Sequence, residues 1–128
     1  MAFGTATVLT ALGRAVTTNR LIGSGTVPNY VGIGTGATSA ARTASTSDTS
    51  LSTPVESRVN TNAATQVTTS TTNDTFQVIQ TVTASSSRSV DEAGLFDASS
   101  GGNMFLSATF PVVSLSSGIQ ATLKVQYS

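Results

Sequence analysis

Six carboxylates and six cations are spread along the chain, which has no histidine and no cysteine. The densest acidic group is Asp91, Glu92 and Asp97, with Asp48 and Asp74 further away in sequence. Convergent carboxylates bind hard cations, but that takes several oxygens on a spaced loop, and the EF-hand spacing is absent. Two carboxylates also cleave glycosidic bonds, in a cleft that must hold a sugar. With five Phe, two Tyr and no Trp, an aromatic-lined cleft of that kind is hard to build. Nucleophilic triads, zinc centres and haem ligation call on the missing His and Cys. The chain is therefore expected to be non-catalytic, with no cofactor, no metal and no small-molecule substrate. Glu92 is expected to pair with an arginine such as Arg88 or Arg58.

Two local motifs have plainer readings. Gly32-Ile33-Gly34-Thr35-Gly36 has the look of a phosphate cradle, but the third-glycine spacing, the following Lys and the surrounding βαβ pattern are all missing. Glycines that end a strand in a tight turn, with Gly32 marking a bulge or a close backbone approach, account for it. Asn73-Asp74-Thr75 matches a glycosylation acceptor, yet no secretory signal accompanies it. The first sixteen residues carry no basic n-region and are interrupted by Arg14, so they read as mature protein made in the cytoplasm.

The elements that must position these residues are strands. Charged residues make up 9 % of the chain, against about 25 % in ordinary domains. Ser and Thr fill about a third of it. Thr and Val favour pleated surfaces, and short Gly/Ser/Asn breaks separate the apolar runs. The expectation is an all-β fold: one antiparallel β-sandwich or jelly roll over residues 28–128, preceded by an N-terminal arm or short helix over residues 1–27. Strands are expected at 28–33, 55–59, around Val67, at 76–84, and in the final run where Ile119, Ala121, Leu123, Val125 and Tyr127 alternate. A helix is expected over residues 6–18, capped by Thr5 or Thr7. Leu21 and Ile22 read as a buried anchor, and Ile79 as buried on both sides. Residues 34–53 form a long loop, poor in large side chains apart from Leu51.

The net charge is zero and no basic run exists, so neither nucleic acid nor a membrane surface is an expected partner. So uncharged a surface suits permanent contact with protein better than life as a free monomer.

Three blocks of sequence carry a resemblance: Tyr30-Val31-Gly32-Ile33-Gly34-Thr35-Gly36; Asp48-Thr49-Ser50-Leu51 followed by Arg58-Val59; and Glu92-Ala93-Gly94-Leu95-Phe96-Asp97 with Gly101-Gly102-Asn103-Met104-Phe105 and Phe110. With these blocks the chain resembles small virion structural proteins of tailed bacteriophages, of the capsid cement (decoration) or tail-fibre/collar type. The resemblance implies a β-sandwich that oligomerises, as a trimer, and docks on the major capsid protein of the phage shell at the outer capsid surface. The other role it implies is a tail-fibre, collar or baseplate component that mediates attachment or reads host glycans. Contact with the shell is expected from residues 1–20 and 34–53, through Phe3, Leu9, Leu12, Arg14, Arg20, Arg42 and Leu51. Glu92, Leu95, Phe96, Met104, Phe105 and Phe110 are expected to form a hairpin clasp. Leu95/Phe96 and Met104/Phe105 are adjacent pairs, so each faces both sides of the sheet. One side is the core; the other is expected to be covered by a neighbouring subunit.

Overall fold

The structure, a computed structural model, describes residues 6–128. Its elements are β1 (Ala6–Leu9), α1 (Ala11–Leu21), β2 (Tyr30–Thr35), β3 (Thr53–Val59), β4 (Thr65–Val67), β5 (Thr75–Thr83), β6 (Arg88–Phe96), β7 (Met104–Leu115) and β8 (Gln120–Tyr127). Two antiparallel sheets pack together, one of five strands in the order β1-β7-β6-β2-β3 and one of three in the order β4-β5-β8. The chain is thus an all-β sandwich with one short helix.

The core is made where the alternation of the strands turns aliphatic side chains inward. Val31, Ile33, Ala93, Leu95 and Phe105 of the larger sheet meet Val78, Val82, Leu123 and Val125 of the smaller one. Phe105 packs edge-to-face against Phe76 and Tyr127, with centroids 5.9 and 5.6 Å away, the geometry that aromatic quadrupoles favour. The β6–β7 register slips between Leu95 and Phe96, where Leu95 faces Leu106 and Phe96 faces Met104. Phe105 is the extra residue of this bulge, so it and Leu106 both reach the core.

Four local expectations are corrected. The helix does not run over residues 6–18. Residues 6–9 pair with β7, and the helix starts only at Ala11. Thr10 divides the two: its Oγ1 accepts from the amide of Gly13 at 2.9 Å and donates to the carbonyl of Met104. A capping residue with a second, tertiary bond fixes the boundary more firmly than the leucine spacing did. Leu21 and Ile22 are 81 % and 79 % exposed, not a buried anchor. Ile79 is exposed at 37 %, and its neighbour Gln80 is the buried residue. Gln80 is tolerated there because its amide is fully used: Oε1 accepts from Thr61 and Asn62, and Nε2 donates to Asn29 and Asn62. Finally, Glu92 pairs with Arg42, while Arg88 pairs with Glu56 and Arg58 lies over the Phe96 ring.

Helix α1 rests on β7 through Gly13 and Val16, both buried. A Cβ at Gly13 would collide with the carbonyl oxygen of Phe105 and with Leu9 Cδ1. Alanine is worth about 1 kcal/mol more than glycine inside a helix, but here the obstacle is backbone that cannot step aside. Gly13→Ala is therefore expected to lower stability by about 1–3 kcal/mol in a denaturant titration, the reverse of the propensity effect.

Candidate docking surface

Residues 36–52 connect β2 to β3 and contain no strand or helix of their own, yet they are tied down along their length. Arg42 is the centre. Its Nη2 donates to Glu92 Oε2 at 2.8 Å and its Nη1 to Asp48 Oδ2 at 2.8 Å. Glu92 is fully buried, and its other oxygen accepts from the amide of Thr53 at 3.0 Å. Asp48 also accepts from the amide of Ser45 and from Ser107 Oγ. Gly34 makes room for this cluster, since a Cβ there would fall on the Glu92 carboxylate. At the start of the loop the amides of Ala37 and Thr38 donate to Asp91, at 3.1 and 2.8 Å.

The loop carries Leu51 onto the outer face of the larger sheet. There Leu51, Phe96 and Met104 form a second apolar cluster, with Tyr30 against it and the Arg58 guanidinium 3.4 Å from the Phe96 ring centre. This corrects the expectation that a neighbouring subunit covers the outer face of the hairpin. The chain covers it with its own loop. The need for a cover was legible in the paired apolar residues; its source was not.

Burial pushes the Asp91 carboxyl up, but the donors from Thr38 and Ala37 outweigh it and hold the group below its ordinary value. At Glu56 the amide of Ser85 and then Arg88 act in the same direction. Carboxyls depressed by folding add stability that is complete above the unfolded value, about 4, and is lost as pH falls through the lower folded value. Stability measured by urea unfolding should thus hold between pH 7 and 5 and fall below about pH 4. Asp91→Asn should lower stability at pH 7 and make the acid limb shallower.

The larger sheet is thus covered on both faces, while the outer face of β5 and β8 stays open with Ile79 exposed, and Val112 and Ile119 are exposed elsewhere; an apolar groove lies beside α1. A groove of about 330 Å3 runs between the helix and the end of the sandwich, lined by Val16, Leu21, Val27, Phe76, Phe105 and Tyr127, with Arg20 at its rim. Next to it, a hollow of about 460 Å3 shares Val27, Phe76 and Tyr127 and adds Gln66, Asn73 and Asp74. Leu21 and Ile22 project at the end of the helix.

The residues expected to touch a partner fall into three groups. Phe3 lies outside the described residues. Arg14 and Arg20 are exposed on α1, with Leu9 and Leu12 half-buried nearby. Arg42 and Leu51 are committed within the chain, the first to ion pairs and the second, 6 % exposed, to the cluster over the sheet. Of the hairpin residues, Glu92, Leu95, Phe96, Met104 and Phe105 are buried, and Phe110 is half-buried against the core. Sequence reasoning missed Val27, Phe76 and Tyr127 as surface residues, because the groove is assembled from four distant segments and no one of them carries its signature. Comparison of the chain with protein families, with curated proteins and with solved structures finds no match.

Proposed function

We propose that this chain is a non-catalytic virion structural protein, a capsid cement (decoration) protein that binds the assembled shell of a tailed bacteriophage as a homo-oligomer and stabilises it. The observation that carries this reading is a small sandwich with few charges that covers both faces of its own larger sheet and presents an apolar groove beside a helix. An exposed apolar patch rimmed by polar groups suits a protein contact. The mechanism is linkage: a protein that binds only the assembled, expanded shell stabilises that state by its differential affinity. Several copies held in one oligomer bind the repeating shell more tightly than one. The test is co-sedimentation with purified shells before and after expansion. The reading predicts saturable binding to expanded shells and a higher temperature of shell disruption. Binding to neither form, or binding with no gain in shell stability, counts against it.

A tail or collar component that reads host glycans is the second reading. The hollow lined by Tyr127, Phe76, Gln66 and Asn73 favours it, since an aromatic face beside amides is a surface on which a sugar can rest. Binding on a glycan array that Tyr127→Ala abolishes would support that role in place of the first.

A further inference from the structure

We infer that the groove beside α1 is the docking site for an acidic, apolar segment of a partner protein: an aliphatic or aromatic anchor next to a carboxylate. The inference rests on the assembly reading above and names its contact. The groove floor is aliphatic and aromatic, from Val16, Phe76, Phe105 and Tyr127, which sets the anchor. The charge at its rim sets the rest. No Asp or Glu stands before Asp48 in the sequence, whereas α1 carries Arg14 and Arg20. Arg20 lines the groove, and its Nη1 donates to the carbonyls of Ser24 and Gly25, at 3.4 and 2.8 Å. Those bonds hold the guanidinium in place; among the described residues Nε and Nη2 make no hydrogen bond and can meet a carboxylate. Arg14 stands two helical turns before Leu21, on the same side of the helix.

Among the described residues no side-chain carboxylate forms an ion pair with Arg14 or Arg20, not even Asp74 of the neighbouring hollow. Asp74 is turned into its own loop and accepts from the amides of Thr69, Ser70 and Thr71 and from the hydroxyls of Thr69, Ser70 and Thr75. A second copy of the chain is the poorer occupant. A two-fold contact through this patch would gather Arg14 and Arg20 of both copies into one interface, and like charges brought together there are repelled.

The test uses the full chain, labelled with nitrogen-15, and two synthetic peptides that differ in charge only: acetyl-Glu-Leu-Phe-Glu-Leu-amide and acetyl-Lys-Leu-Phe-Lys-Leu-amide. The acidic peptide should shift the amide resonances of Val16, Leu21, Val27 and Tyr127 saturably, and the lysine peptide should not. Arg20→Glu should weaken binding of the acidic peptide about tenfold, and Leu21→Asp should weaken it as well. Both positions are exposed, so the amide spectrum of each variant should otherwise match that of the parent. Equal binding of both peptides, no saturable shift, or shifts away from the groove would overturn the inference. So would self-association of the free chain in sedimentation that Leu21→Asp abolishes, since the occupant would then be a second copy. The two readings fail separately. If the chain co-sediments with expanded shells and Arg20→Glu and Leu21→Asp do so equally, this inference is wrong and the cement reading stands. If the acidic peptide binds the groove but no shell binds the chain, the reverse holds.

Discussion

Arg42→Ala should destabilise the fold by about 3–5 kcal/mol, because it strands a fully buried carboxylate. Glu92 has no contact with water, and Arg42 is its cationic partner, bonded through Nη2 at 2.8 Å and Nε at 3.2 Å. The same substitution frees Asp48, so the loop over residues 36–52 loses its central tie. Two measurements check this. A denaturant titration reads the lost stability, and limited proteolysis reads new cleavage between Gly36 and Ser52. Replacing both partners, as Arg42→Met with Glu92→Leu, should recover much of the loss, since no charge is then left buried alone. A cost under about 1 kcal/mol for the single change would place this pair among ordinary surface ion pairs and would mean that other contacts hold the loop.

Phe96→Ala should cost a similar amount, about 3–5 kcal/mol. The ring is 1 % exposed, packed under Leu51 and beside Met104, with Arg58 across its face. Removing it leaves a cavity on the outer face and takes away the surface on which the guanidinium rests. Phe110→Ala should cost less, since that ring is only half-buried. The oligomeric state of the Phe96 variant discriminates further. Its cover is Leu51 of the same chain, so sedimentation should show the assembly of the parent wherever the variant remains folded. Dissociation of folded Phe96→Ala would mean that this face meets a neighbour after all.

How far the sequence could be read depended on the range of the forces involved. The last strand was legible at its centre because its signal is local: Leu123 and Val125 alternate with Lys124 and Gln126 and are buried, whereas Ile119 and Tyr127, at the ends of the expected alternation, are exposed. The hairpin was legible for the same reason, from two apolar runs around Ser99-Ser100-Gly101-Gly102-Asn103. The tie between Arg42 and Glu92 joins residues 50 apart in sequence, and nothing near Arg42, in a run of Ala, Ser and Thr, announces it. The close approach expected at Gly32 is found two residues on, at Gly34, where the group approaching is the Glu92 carboxylate. At the N-terminus, Leu9, Leu12 and Val16 satisfy a helical period, but Val8 and Leu9 serve equally well on a strand. Pairing with β7 decides between them, and pairing is a tertiary fact. The exchange of Ile79 and Gln80 has a similar cause. The buried glutamine is bound by Asn29, Thr61 and Asn62 from two other segments, and only that network makes its burial cheaper than that of the isoleucine.

The docking on a viral shell through the α1 face that we propose can be seen on the particle itself. Electron microscopy of purified particles, at a resolution that separates the sandwich from the shell protein, tests it most directly. Copies of the sandwich should stand at regular sites on the outer capsid surface, with Arg20, Leu21 and the groove turned toward the shell and residues 36–52 still folded over Phe96. Density for the chain on the tail, or on the capsid with the α1 face turned to solvent, would contradict it.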